Sequence, residues 1–256
     1  CPAEETIGGK VYMAEAGLFK GYEAALIIHP GGENEVGGTS LATHPLEVTF
    51  HGRSCHIASL TDSGINALDC AVELYQKIKE LKKTFPKGAI VGAIFTEAGT
   101  APNVVTPKAT IRMTVRGSTV DDLEGIILPA IKAAAQEIAA SYGAQVEMHH
   151  YEPLFKDMRQ DKKLLNLFKA VMTEFGEVPR ILPDDEADGS TDVGNVSYEV
   201  PTAQPTLQIG LGLEAHTPEF TCAAGSDYGL AQAIKGAKIM AVVALRYALL
   251  SDIPKF

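Results

Sequence analysis

The sequence predicts an α/β protein in which a ferredoxin-like βαββαβ domain is inserted between two pieces of a second, mixed-sheet domain. Three observations carry this. Residues 41–152 alternate between strand-like and helix-like patterns in the order βαββαβ, a unit able to fold compactly by itself. Residues 153–256 return to mixed helix and strand. The flank before the insertion, residues 1–40, is too short to supply half of a layered α/β domain. It reads as the first piece of a domain completed later in the chain.

Residues 1–40 are glycine-rich and hold one strand-like run, AALIIHP, followed by a loop or hinge, HPGGENEVGGTS. In the insertion, HPLEVTFHG (44–52) alternates as a strand. GINALDCAVELYQKIKELKKTF (64–85) places Ala67, Leu68, Ala71, Leu74, Ile78 and Leu81 on one helical face and ends in lysines that suit the helix dipole. GAIVGAIFTEAG (88–99) and ATIRMTVRG (109–117) read as strands. Thr119 suits the N-cap of a helix to about residue 141, with Asp121, Asp122 and Glu124 in its first turn. GAQVEMHHYE (143–152) closes the unit as a strand. The last block offers a helix near 160–175, a polar loop DDEADGSTDVGNVS (184–197), a strand TLQIGL and a loop carrying His216. A terminal helix over 226–250 shows the apolar stripe Leu230, Ile234, Ala237, Ala241, Ala244 and Leu245.

Composition narrows the function classes. Hydrophobic content of 46% and charged content of 21% are those of an ordinary globular protein. The net charge of −10, with basic residues scattered along the chain, argues against a nucleic-acid partner. An acidic protein that binds an anion needs a local cation to do so. Cys1, Cys55, Cys70 and Cys222 lie far apart without CxxC spacing and read as reduced thiols of a cytosolic protein. No leader pattern and no apolar run of about 18 residues is visible, so the expectation is a cytoplasmic protein with no membrane partner.

The chemistry-bearing residues have bland readings when taken singly. Glu4-Glu5 alone reads as a solvated turn, although adjacent residues of an extended chain point to opposite sides. One carboxylate could then hold a metal while the other faces a substrate water. His29 and His216 alone read as a strand terminus and a loop residue, although imidazole plus carboxylate is a set that zinc or manganese accepts. Arg116, at a strand end, could reach out to grip a carboxylate in a two-pronged contact.

In this order the pieces CPAEETIGGKVYM, IIHPGG, GRSCHIAS, SGINALD, TAPNVV, TVRG, DGSTDVGNVS and AHTPEF resemble those of a known family. It is the dinuclear-metal amidohydrolase and peptidase family of aminoacylases, glutamate carboxypeptidases and p-aminobenzoyl-glutamate hydrolase subunits. PAEE with a histidine 24 residues beyond its second Glu is the specific part, and GSTDVGNVS points to the branch acting on dipeptides and aminobenzoyl-glutamate-like amides. The resemblance implies a mixed-sheet metallohydrolase catalytic domain over residues 1–40 and 153–256, with residues 41–152 as lid and dimerisation domain. It implies Glu4 as general base and Glu5, His29 and His216 as ligands in a site holding two zinc or manganese ions. It implies His56 as the lid histidine that stabilises the oxyanion in a neighbouring subunit's site. Asn103 and Arg116 become grips on a substrate carboxylate, and Gly189 and Ser190 substrate-binding residues. The substrate is expected to be a small amide with a free carboxylate, and the protein a homodimer through the lid.

The family carries further metal ligands about thirty or more residues before its Glu-Glu pair, and here the pair stands at positions 4 and 5. The expectation is therefore a piece of a longer protein, N-terminally incomplete, or a truncated copy. Two rivals stay open: a non-catalytic dimeric or binding protein that has lost its metal centre, and an N-terminal nucleophile hydrolase using the Cys1 thiol.

Overall fold

The computed structural model describes residues 4–5, 7–58 and 64–251. Cys1, the nucleophile of the second rival, lies outside them. In chain order the elements begin with α1 (Gly9–Glu15), β1 (Ala25–Leu26), β2 (His29–Gly31), β3 (Glu35–Thr39), β4 (Ala42–Thr43) and β5 (Leu46–His51). There follow α2 (Ala67–Leu81), β6 (Ile90–Glu97), β7 (Lys108–Gly117), α3 (Val120–Asp122), α4 (Leu128–Tyr142) and β8 (Gln145–His150). The rest comprises α5 (Lys162–Glu174), β9 (Arg180–Ala187), α6 (Val193–Ser197), β10 (Thr202–Ala203), β11 (Thr206–Gln208), α7 (Pro218–Ala224) and α8 (Asp227–Ser251).

The chain divides into two compact units. The first contains Leu41–Asp157 together with the stretch up to Val11 and Ser190–Asp192. Its sheet runs β6-β7-β5-β8, fully antiparallel, with β4 continuing along the edge of β7 that β5 occupies. That strand order, with α2 and α4 as the two crossovers, is the ferredoxin-like one. Alternation in β5 and β7 sends Leu46, Val48, Phe50, Ile111, Met113 and Val115 to the same core as Leu74, Ile78, Leu128 and Ile131 of the helices.

Local chemistry fixes the helix ends. The Asn66 side chain accepts the Leu68 amide at 3.1 Å to start α2, and Thr119 Oγ1 accepts the Asp122 amide at 3.1 Å to start α3. The single helix expected after Thr119 is interrupted: Leu123–Ile127 form a π-helical turn between α3 and α4. Gly143, at φ 68°, ends α4 in the left-handed conformation. Burial pushes the Cys70 thiol up to about 11, so this cysteine is an inert core residue.

The second unit comprises Tyr12–Ser40, Met158–Gly189 and the residues from Val193 on. Its main sheet runs β2-β11-β3-β9, beside a two-stranded parallel pair β1-β10. The core gathers Leu164, Phe168, Val171 and Met172 of α5, Ile239 and Val243 of α8, and Val36 and Leu207 from the sheet.

Three expectations are corrected here. The polar segment 184–197 is no continuous loop, because it holds the end of β9 and all of α6. The apolar stripe of α8 points outward: Leu230 is 55%, Ile234 61% and Leu245 61% exposed, and the buried face is Gly229, Gln232, Gly236, Ile239 and Val243. An alanine-rich helix is apolar on several faces, so periodicity alone did not select the buried one. By length and composition Asp227–Leu249 would also suffice to cross a membrane, contrary to the expectation that no such run exists. Core helices meet the same criterion, and this one packs Ile239 and Val243 into its own unit.

Candidate active site

In the first unit the lid residues fall at two ends of one strand. The segments carrying His56 and Asn103 meet: His56 and Val104 form an isolated β-bridge, and the Ile57 amide donates to the Asn103 carbonyl at 3.0 Å. The Ala58 amide donates to His56 Nδ1 at 3.2 Å. A neutral His56 ring therefore carries its proton on Nε2, where it can be given to an oxyanion. Both side chains are exposed beside a cavity of about 360 Å³ lined by Ile57, Asn66, Thr100, Pro102 and Val105.

Arg116 sits at the other end. The loop with Asn103 joins β6 to β7 next to Lys108, whereas Arg116 pairs with Ile90 and Thr43 at the far end of β7. Eight residues of strand separate Lys108 from Arg116, roughly 26 Å. Arg116 and the His56–Asn103 pair thus lie toward opposite ends of β7 in this unit. Arg116 is half-buried, and among the described residues its guanidinium has no ion-pair, hydrogen-bond or ring partner. Arg112, Arg159, Arg180 and Arg246 each hold a carboxylate or a ring, and Arg53 also has a partner.

Glu4 and Glu5 belong to this first unit as well, on a turn closed by the Ile7 amide donating to the Glu5 carbonyl at 2.6 Å. Glu4 is half-buried and Glu5 exposed. Ser190 is in the same unit, its Oγ buried without a hydrogen-bond partner among the described residues.

In the second unit β2 lies parallel to β11, with His29 opposite Thr206. His29 Nδ1 is 2.7 Å from the Pro30 carbonyl. In the neutral ring Nδ1–H donates there, which leaves the Nε2 lone pair for a ligand, the arrangement ligating histidines usually show. Gly32 lies against the loop that carries His216: a Cβ on it would stand 2.6 Å from the Leu213 carbonyl oxygen. The Gly212 amide also donates to the Gly32 carbonyl at 3.3 Å. His216 itself is exposed at φ 62°, a left-handed conformation rarely kept by a residue other than glycine, just before the Thr217 cap of α7. The two histidine-bearing segments are thus brought to one side of the second unit. Gly189, at φ 56°, is in this unit too.

A polar network that the residue pattern did not reveal pins the same turn. Glu177 accepts from Asn34 Nδ2 at 2.7 Å and from Lys235 Nζ at 2.5 Å, while the Gln208 amide donates to Asn34 Oδ1 at 2.9 Å. Burial opposes the charged carboxylate, and the donors from Lys235, Asn34 and Gln232 outweigh it, holding Glu177 below the usual carboxyl range. Its members are far apart in sequence and none stands in a recognisable motif.

The donor types of Glu5, His29 and His216 suit zinc or manganese. Among the described residues, however, no three His, Cys, Asp or Glu side chains are gathered as a metal site.

The chain is similar to several known proteins. Residues 45–143 match the family model of the peptidase dimerisation domain. Over 247 residues the chain is 30% identical to the Xaa-Arg dipeptidase of Mus musculus, covering 95% of this chain and 57% of that protein. It is 24% identical to the N-acetylcysteine deacetylase of Bacillus subtilis, over 86% of this chain and 59% of that one. It is 30% identical over 128 residues to one of the p-aminobenzoyl-glutamate hydrolase subunits of Escherichia coli, covering 49% of this chain and 27% of that protein. Among solved structures, the aminobenzoyl-glutamate utilization protein of Klebsiella pneumoniae superposes with a TM-score of 0.67 at 19% identity, over 87% of this chain and 57% of that chain. The likeness in that case is one of fold. The chain spans a little over half the length of the Xaa-Arg dipeptidases and of the N-acetylcysteine deacetylase it matches.

Proposed function

Because the chain belongs to the amidohydrolase and peptidase family, we propose that the protein carrying it hydrolyses an amide bond next to a free carboxylate, in a dipeptide, an N-acyl amino acid or an aminobenzoyl-glutamate-like substrate. The observation that carries the substrate class is Arg116, the half-buried arginine at a strand end of the lid that is without a partner among the described residues. A guanidinium held there unpaired is suited to a two-pronged grip on a carboxylate, and it supplies the local cation that a protein of charge −10 requires.

Each further group has one role. Glu4 takes a proton from the attacking water, whose oxygen bonds to the amide carbon. The same carboxyl returns that proton to the leaving nitrogen as the C–N bond breaks, giving a carboxylic acid and an amine. His56 donates from Nε2 to the oxyanion, a contact typically worth about 3–4 kcal/mol of barrier. We assign Glu5, His29 and His216 as donors to divalent metal, zinc or manganese, and Gly189 and Ser190 to substrate binding.

The roughly 26 Å along β7 between the two lid ends is the reason to propose a homodimer. Arg116 would serve the substrate with His56 and Asn103 of a second chain. The free edge of β6, with Ile90 48% and Ile94 64% exposed, is the kind of strand that pairing across a two-fold axis covers.

The test is Arg116→Ala in the complete protein. KM should rise about 10- to 100-fold for a free-carboxylate substrate, the loss of one charge-assisted contact. It should stay unchanged for the analogue capped as a carboxamide. Equal losses on both would refute the carboxylate grip. Glu4→Gln should cost about 100- to 10,000-fold in turnover; a variant keeping half the rate would remove Glu4 as the base.

A further inference from the structure

The first unit contains one buried ion pair that the proposed chemistry does not use. Lys10 is 8% exposed and Asp192 fully buried, although they stand 182 residues apart. The Lys10 ammonium lies 2.8 Å from Asp192 Oδ1, and the Lys10 backbone amide donates to Oδ2 at 2.9 Å. One carboxylate thus pairs by charge with the side chain at Oδ1, where no hydrogen bond forms, and accepts a hydrogen bond from the main chain of the same residue at Oδ2.

Burying two charges is expensive, and an apolar pair of similar size would often serve stability as well or better. What a buried pair with a main-chain hydrogen bond adds is register: it fixes one backbone position against another. Here the fixed position is five residues beyond Glu5. A second anchor lies between them. Gly8, at φ 61°, packs so closely on Phe155 that a Cβ would come within 2.4 Å of the ring. The Val11 amide donates to the Gly8 carbonyl at 2.9 Å. The turn carrying Glu4 and Glu5 is therefore tethered at Gly8 and at Lys10. Asp192 provides the second tether from the DGSTDVGNVS segment.

We infer that Asp192 and Lys10 are positioning residues for Glu4: the pair sets where the turn places the general-base carboxylate. The inference rests on the proposed role of Glu4. Neither residue touches the reacting atoms. Their effect passes through the backbone, so turnover changes while substrate affinity does not.

Asp192→Asn alone leaves a buried ammonium uncompensated and can fail to fold, so the informative variant is the neutral pair Lys10→Met with Asp192→Asn. In the complete protein it should melt within a few degrees of wild type. Its kcat should fall about 10- to 100-fold, the size typical of a misplaced catalytic group, with KM within two-fold. In a Glu4→Gln background the same pair should lower kcat less than two-fold further, because the group being positioned is already gone. A neutral pair with wild-type kcat, or one whose loss is undiminished in the Glu4→Gln background, overturns the inference alone. Wild-type turnover in Glu4→Gln overturns the base assignment beneath it.

Discussion

The two units contain similar numbers of residues but bury very different amounts of apolar side chain. Among the described residues the lid core joins twenty-two buried residues in one cluster, from β4 to α4, and the core of the second unit joins nine. The lid scatters its exposed apolar side chains, with Ile90, Ile94 and Phe95 on the edge strand β6 and others such as Ile57, Val72 and Ile126 elsewhere, whereas α8 exposes Tyr228, Leu230, Ile234, Leu245 and Leu249, each more than half. The difference teaches where stability and chemistry reside. The lid is a ferredoxin-like body that carries His56, Asn103 and Arg116. The second unit keeps its histidine-bearing turns through glycine contacts and a polar network rather than through a deep core.

The largest expected effect tests that contrast directly. Phe50→Ala in the lid should cost about 3–5 kcal/mol, because the ring is fully buried. Ile234→Ser on α8, equally apolar in sequence, should change stability by less than about 0.5 kcal/mol. Chemical denaturation of this chain measures both, and similar losses would erase the distinction between the units.

A smaller effect is expected at the site of the second unit. Gly32→Ala pushes a methyl group against the Leu213 backbone and should destabilise by about 1–3 kcal/mol. It should also shift the amide resonances of the His216 loop while leaving those of the lid in place. Shifts confined to β2 would show that Gly32 does not hold that loop.

The smallest effect is a pH dependence in the lid. His150 stacks on His44 with ring centroids 3.4 Å apart and meets Lys132 Nζ at 2.9 Å, while Glu124 pairs with His44 on the other side. Burial, then the facing His44 and Lys132, holds its pKa below the ordinary 6.5, partly opposed by the Pro45 carbonyl and Glu124. A histidine with a depressed folded-state value binds fewer protons folded than unfolded. Its contribution is therefore complete above about pH 6.5 and is lost as pH falls through the lower folded-state value. Melting temperatures from pH 7.5 to 5 should fall less steeply for His150→Gln than for wild type, and an unchanged slope would remove His150 from the acid response.

Much of the lid was legible because each of its elements states its period locally: alternation in 44–52 and 109–117, a 3–4 spacing from Ala67 to Ile78, and a cap at Thr119. The π-helical turn was not, since Leu123–Ile127 has an ordinary helical sequence. In the second unit the alanine-rich α8 hid its buried face, and β9 is masked by the acidic Asp184, Asp185 and Glu186. Single residues of the candidate site were visible through their motifs. The relations between them were not: the Lys10–Asp192 pair spans 182 positions, and that Arg116 has no partner among the described residues depends on where their carboxylates lie.

The central claim is that the lid supplies its two ends to different active sites. It is tested by mixing two impaired forms of the complete protein, His56→Ala and Arg116→Ala, after subunit exchange and at substrate well below the wild-type KM. If one substrate is held by Arg116 of one chain and His56 of another, each mixed dimer has one intact site and one doubly defective site. Activity on a free-carboxylate substrate should then recover to about a quarter of wild type with random pairing of two chains. A mixture no more active than its two components would show that both residues serve the same chain's site, contradicting the account.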